Sequence, residues 1–278
     1  MTAAAIGKAA KAFGRAGVDA PRRNAEALMA KALGWERAKL LAEPGHPLSP
    51  GEALAFGNLC RRRACREPLD YLLGRAHFAG IELACDRRAL IPRPETEDLV
   101  ELAVRALKDV PAPRIADIGT GTGAIALAIK ARLPKAEVVA TDASGETLSL
   151  ARENARHLGL DVAFREGPDL DPLAGERFDA IGANPPYVTE AEFPGLMPEV
   201  RDWEPRAALV AGPEGTEILA RWIAAAPRHL NPGGWLAVEM GAGQAPRVMA
   251  AFTSAGFSAI GTTQDFAGIP RFVHGRVG

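Results

Sequence analysis

The chain has 278 residues, 47% apolar and 24% charged, the balance of an ordinary globular protein with room for one large domain and a modest second one. No apolar run nears the ~20 residues of a bilayer-spanning helix, the first residues lack the apolar stretch of a signal peptide, and three scattered cysteines suit a reducing compartment, so a cytoplasmic chain without a membrane partner is expected. The net charge of −1 hides an asymmetry: residues 1–75 carry 13 Lys/Arg against 7 Asp/Glu and the remainder 20 against 27, which points to two domains with different surfaces.

Residues 1–75 read as a small helical bundle without strands. Apolar residues recur at helical spacing over Ala3–Gly14 and Pro21–Leu33. A third helix has a clear start: Ser49 as cap, Pro50 at the first helical position and Glu52 as capping-box partner, with the helix running towards Cys65. The basic run Arg61-Arg62-Arg63 with Arg66 suits contact with RNA or a charged protein, although a solvated helix face is the simpler reading. Cys60 and Cys65 lack a CxxC spacing or a neighbouring His, so no metal site is expected.

Residues His77–Cys85 alternate about Gly80 as a short hairpin, which makes residues 76–93 a linker. From Pro94 to residue 278 strands alternate with helices, the pattern of a parallel sheet covered on both faces. The strands are expected at Arg114–Ile118, Glu137–Thr141, Val162–Arg165, Phe178–Ala183, Trp235–Glu239, Ser258–Thr262 and Arg271–His274. Helices are expected at Glu95–Leu107, Gly123–Arg132, Ser144–Leu158, Gly215–His229 and Gln244–Ala255, with Pro232-Gly233-Gly234 as the turn before a buried strand.

The first of these strands ends in Asp117 and runs into Gly119-Thr120-Gly121-Thr122-Gly123. Three glycines in five residues permit a sharp turn and close approach of backbone to a ligand. Their G-x-G-x-G spacing differs from the G-x-G-x-x-G of dinucleotide folds, and no Lys-Ser or Lys-Thr follows, which excludes a phosphate-binding P-loop. Exposed amides beside a carboxylate suit a ligand of mixed charge such as S-adenosylmethionine. Asp142 ends the next strand, 19 residues past the last glycine, where a carboxylate can accept both hydroxyls of a ribose.

After the fourth strand comes Asn184-Pro185-Pro186-Tyr187, a tetrapeptide that chance places in roughly one chain in a thousand at average residue frequencies. A planar NH2 is a poor nucleophile because its lone pair is delocalised. The side-chain carbonyl of Asn184 and the backbone carbonyl of Pro185 can accept its two N–H bonds, Tyr187 can stack on its plane, and Pro185-Pro186 keeps the loop stiff. Glu239, at the end of a buried strand on the same edge, suits either a substrate contact or a structural role.

With glycine loop, acid and tetrapeptide together, the chain resembles the class I methyltransferases of amino and amide nitrogens. Within them it is similar to the peptide-chain release factor N5-glutamine methyltransferases. That similarity rests on Leu90-Ile91-Pro92-Arg93-Pro94-Glu95-Thr96-Glu97, Glu67-Pro68-Leu69-Asp70-Tyr71-Leu72-Leu73-Gly74 and Glu204-Pro205-Arg206-Ala207-Ala208-Leu209, and it spans nearly the whole chain.

The resemblance implies an α/β fold: a class I methyltransferase Rossmann-like sheet over 94–278, preceded by a helical substrate-recognition domain over 1–75 and a β-hairpin linker. It implies S-adenosylmethionine as cofactor, held by Asp117, Gly119, Thr120, Gly121, Thr122, Gly123, Asp142 and Asn184. Substrate binding and catalysis then fall to Asn184, Pro185, Pro186 and Tyr187, without a metal. The implied substrate is the glutamine of the Gly-Gly-Gln loop of class 1 release factors, modified by a monomer with no nucleic-acid substrate. A ribosomal-protein glutamine or the N6 of adenine are the alternative planar amines. The family also carries an acid and an aromatic after the third strand; this chain has Glu166-Gly167-Pro168-Asp169-Leu170, with Asp169 as the candidate acid and no aromatic.

Overall fold

The computed structural model describes residues 1–278, which form two compact units. The first comprises Met1–Arg75 together with Met197–Trp203, and the second Ala76–Leu196 together with Glu204–Gly278. The chain therefore returns to the helical unit from within the catalytic part, a crossing that the sequence pattern does not announce.

The helical unit contains α1 (Thr2–Arg15), α2 (Pro21–Leu33), α3 (Arg37–Ala42), α4 (Pro50–Ala64) and α5 (Leu69–Leu73). Its core is built from Ile6, Phe13, Leu28, Met29, Leu40, Phe56 and Leu72. The expected capping box is present: Ser49 Oγ accepts from Glu52 N, and the Glu52 carboxylate accepts from Ser49 N at 2.8 Å. Such a cap contributes about 1 kcal/mol to helix stability.

The basic run divides: Arg61 and Arg62 are exposed, as a solvated helix face requires, whereas Arg63 and Arg66 turn inward. Arg62 is bidentate to Glu67, at 2.7 and 2.6 Å. Arg63 is buried and donates to Asn24 Oδ1 at 2.8 Å, to the Glu67 carbonyl at 3.0 Å and to Glu199 at 3.0 Å. Arg66 donates to both oxygens of Glu199 and to the Ala16 carbonyl. Arg63 and Arg66 are thus internal fasteners, with Glu199 supplied by the short helix α9 (Pro198–Arg201) of the returning segment.

The second unit opens with β1 (Arg75–Phe78) and β2 (Ile81–Ala84), which pair across Ala79 and Gly80, both at positive φ. Phe78 and Leu83 are fully buried in the core of this unit. Asn154 accepts from Ala84 N at 2.6 Å and donates to the carbonyls of Ala84 and Thr122. The hairpin is accordingly part of the catalytic unit rather than a free linker, because it carries buried side chains.

There follow α6 (Glu97–Ala106), β3 (Arg114–Ile118), α7 (Ala124–Arg132), β4 (Glu137–Asp142), α8 (Gly145–Leu158), β5 (Ala163–Glu166), β6 (Phe178–Ala183), β7 (Val188–Thr189) and, past α9, β8 (Val210–Gly212). The chain ends with α10 (Glu217–Ala225), β9 (Leu230–Glu239), α11 (Ala245–Ser254), β10 (Phe257–Gln264) and β11 (Pro270–Val277). Seven strands form one sheet in the order β10-β11-β9-β6-β3-β4-β5, and β7 pairs with β8 separately. Strands β3, β4, β5, β6 and β9 are parallel neighbours, whereas β11 runs antiparallel to both β9 and β10. The sheet is thus mixed at one edge. Apolar clusters lie on both of its faces, one around Leu99, Ile125 and Leu127, the other around Leu219, Ile223 and Phe252. This is why apolar residues of β3 and β6 are buried at successive positions, as at Ile115-Ala116 and Ala180-Ile181. The Pro232–Gly234 turn sits inside β9 as an irregularity: Phe178 pairs with Leu230, but Ala180 pairs with Trp235.

Candidate active site

The order of β3, β4 and β6 reverses the direction of chain winding at β3, and ligands of open α/β sheets bind at the carboxyl ends of strands at such a point. A cavity of about 630 Å³ lies there, within the usual range for small-molecule sites. Its wall includes Gly119, Thr120, Gly121 and Thr122 after β3, Asp142 at the end of β4, Gly167 to Asp169 after β5, and Asn184 and Pro186 after β6.

The glycine loop takes its shape from backbone conformation. Gly119, Gly121 and Gly123 all have positive φ, at 69°, 59° and 84°. A Cβ on Gly119 would lie 3.0 Å from the Trp222 ring and one on Gly123 would lie 2.9 Å from Leu127, whereas one on Gly121 would meet nothing. Gly121 thus leaves its backbone open to the cavity while its neighbours pack inward. Asp142 accepts from Gly121 N at 3.1 Å and from Ser144 N at 3.0 Å, which ties the acid to the loop and leaves each carboxylate oxygen a further lone pair. Burial pushes its carboxyl above the usual range, and the backbone donors oppose that rise.

Asp117 and Gly123 do not line the cavity. Asp117 is fully buried beneath the loop, where Oδ2 accepts from Thr120 Oγ1 at 2.6 Å and from Ala126 N at 3.2 Å. Burial pushes its carboxyl up to about 7. Its role in the loop is that of a brace, since β3 ends with this side chain pointing into the core. Asp117 Oδ1 and Thr141 Oγ1 are buried without a hydrogen-bond partner, a pair of unsatisfied polar atoms close to the loop in sequence and register. Thr141 lines the cavity, where a polar ligand suits it as it suits the open Gly121 and the tethered Asp142.

Asn184 is half-buried and its Nδ2 donates to Thr96 Oγ1 at 3.0 Å, while no protein group donates to its Oδ1. Pro185 is buried outside the cavity wall, and its carbonyl receives no backbone hydrogen bond. Tyr187 likewise lies off the wall, with burial and the nearby Glu239 pushing its phenol up to about 12. Its carbonyl accepts from Gln244 Nε2 at 2.9 Å, and Gln244 in turn accepts from Gly241 N, so α11 braces the end of the tetrapeptide.

Three contributors stand outside the site residues expected from the sequence, in which Asp169 figured only as the candidate acid after the third strand. Asp169 is bidentate to Arg221 and accepts from Trp222 Nε1 at 2.6 Å, so it is committed to α10. Trp222 lines the cavity against Gly119 and supplies an aromatic wall from a helix, not from the segment after β5. Its helical position among apolar neighbours gives no sign of this. Arg93 pairs with buried Glu204 at 2.6 Å, and Glu204 also accepts from Ile91 N, which brings the Ile91–Glu97 and Glu204–Leu209 motifs together.

Comparison with known proteins agrees with this geometry. The family model described as PrmC N-terminal domain matches residues 4–74, and that described as Methyltransferase small domain matches residues 98–196. The chain is 44% identical over 262 residues to a release factor glutamine methyltransferase of Geobacter sulfurreducens, covering 94% of this chain and 92% of the relative. It is 45% identical over 263 residues to one of Deinococcus radiodurans, covering 94% and 93%. Among solved structures, a methyltransferase from Pyrococcus furiosus superposes with a TM-score of 0.52 at 19% identity, over 70% of this chain and 88% of that one. The Thermus thermophilus 16S rRNA N2 G1207 methyltransferase, in complex with AdoMet and guanosine, gives 0.52 at 18% identity, over 73% and 50%. The structures speak for the fold alone, and the sequence relatives for more: the chain belongs to the release factor glutamine methyltransferase family.

Proposed function

We propose that this enzyme methylates the side-chain amide nitrogen of the glutamine in the Gly-Gly-Gln loop of class 1 peptide-chain release factors, with S-adenosylmethionine as cofactor. The observation that carries the reading is that the unengaged Oδ1 of Asn184 and the carboxylate of Asp142 belong to residues of one cavity wall. S-adenosylmethionine, when bound, supplies a methyl group on a positively charged sulfur. Asp142 accepts the ribose hydroxyls, and the loop from Gly119 to Thr122 offers backbone at close approach. Asn184 Oδ1 and the Pro185 carbonyl accept the two N–H bonds of the target amide, which fixes the nitrogen's plane. Methyl transfer would break the carbon–sulfur bond, its electron pair remaining on sulfur as a neutral thioether, form the carbon–nitrogen bond, and release one N–H proton to solvent. Acceleration comes from alignment and from acceptors fixed in advance.

The test is direct. The purified protein is incubated with S-adenosylmethionine and a release factor, and peptides are read by mass spectrometry. Gain of one methylene on the Gly-Gly-Gln peptide is expected. Labelling of a ribosomal protein or of nucleic acid instead would overturn the substrate assignment. Asn184→Ala removes one positioned acceptor and should lower kcat by about 10²–10³ while cofactor affinity changes little. A near wild-type single-turnover rate for this variant would remove Asn184 from the chemistry.

A further inference from the structure

Thr96 ends a 3-10 turn, Pro94–Thr96, and leads into α6 with helical backbone angles (φ −65°, ψ −17°), so its hydroxyl is not called on to cap the first turn by accepting a backbone N–H. It makes no such bond. Its hydroxyl instead donates to Glu239 Oε2 at 2.6 Å and accepts from Asn184 Nδ2 at 3.0 Å. Thr96 and Glu239 are 4% and 2% exposed, so water does not substitute for either partner. The three residues lie just before α6, just after β6 and at the end of β9, remote in sequence, and Thr96 and Asn184 are both on the cavity wall.

The polarity of this chain is dictated by chemistry. Above about pH 7, where Glu239 is ionised, its carboxylate only accepts, so the Thr96 proton goes to Glu239. The hydroxyl can then only accept from the asparagine. An asparagine amide has an oxygen end and a nitrogen end of nearly equal size, and the hydroxyl takes the nitrogen end. The oxygen end is left for the cavity. With the amide flipped, two donors would face the substrate N–H bonds and Oδ1 would face a hydroxyl whose proton is already engaged. We infer that Thr96 and Glu239 are positioning residues that hold the Asn184 amide with its oxygen towards the substrate. The inference rests on the assignment of Asn184 as acceptor for the target amide.

The experiment is a double-mutant cycle on the full-length enzyme, read as single-turnover methyl transfer to a release factor with saturating cofactor. Thr96→Val keeps the shape and removes the hydroxyl. It should lower the transfer rate by about tenfold to a hundredfold, the effect of losing one buried hydrogen-bond partner, with cofactor Kd unchanged. In the Asn184→Ala background the same substitution should change the rate less than about twofold, because Thr96 acts only through Asn184. Thr96→Ser, which keeps the hydroxyl and loses a methyl, should return the rate to within a few-fold of wild type. An equal loss from Thr96→Val in both backgrounds would overturn the inference, as would a loss with Thr96→Ser as large as with Thr96→Val. If Thr96→Val yields no folded enzyme, Thr96→Ser decides, since a packing role predicts loss and the hydroxyl role predicts retention. A near wild-type rate for Asn184→Ala alone sinks the reading of the site itself. A slow Asn184→Ala beside an unimpaired Thr96→Val sinks the positioning role only.

Discussion

Replacing Asp142 by alanine isolates the contribution of one carboxylate to cofactor binding. In the free enzyme that carboxylate holds Gly121 N and Ser144 N, at 3.1 and 3.0 Å. Ser144 is exposed and Gly121 only half-buried, so water replaces both protein bonds at small cost to folding. Loss of hydrogen bonds from the ribose to a charged acceptor is not replaced in this way. Such bonds are worth about 1.5–3 kcal/mol, which raises Kd about 10- to 150-fold. Asp142→Asn should fall between: its oxygen can still accept from Ser144 N, but its NH2 then opposes the Gly121 donor. Calorimetric titration with S-adenosylmethionine measures both variants, and thermal melts check that each is folded. A Kd for Asp142→Ala within twofold of wild type, with an unchanged melt, would refute the role of Asp142.

Two further expectations concern stability. Glu199→Ala leaves the buried Arg63 guanidinium without its carboxylate, and breaking a buried pair costs about 3–5 kcal/mol; hydrogen exchange of peptides from residues 1–75 should show that loss, and unchanged protection would count against the fastening role. Glu239 has its carboxyl pushed up to about 7 by burial, so the fold favours the protonated form and loses this contribution as pH rises from about 4.5 through 7. Glu239→Gln does not titrate, so its stability relative to wild type should improve by about 2–3 kcal/mol between pH 5 and pH 8; a difference independent of pH in urea unfolding would exclude the raised value.

Much of both units was legible because the signals are local. Ser49 and Glu52 announce a helix start through contacts three residues apart, and Gly119 to Gly123 announce a turn through backbone conformation alone. Strand β3 was legible from its apolar run and the glycines that end it. What escaped depends on distant partners. Asp117 and Asp142 both end strands beside the loop, yet only the structure separates the buried brace from the residue on the cavity wall. Asp169 looked like a ligand acid until Arg221, 52 residues on, was seen to hold it. The basic run on α4 looked like a surface because the carboxylate of Glu199 lies more than a hundred residues away. Thr96 falls inside the expected helix Glu95–Leu107, and the glutamate that its hydroxyl meets lies 143 residues later. The antiparallel β11 escaped for the same reason, since direction in a sheet is not written in a single strand.

The return of Met197–Trp203 to the helical unit also sets an order on the ribosome. Arg63 emerges from synthesis 136 residues before the glutamate that neutralises it. At about 5–20 residues per second, that interval lasts roughly 7–27 s. Through it the bundle has its apolar helices but lacks the carboxylate clasped by Arg63 and Arg66. Its completion waits until Asn184–Tyr187 and the strands before them have been made, and the last fastening of the helical unit thereby reports that the site-bearing half of the sheet already exists.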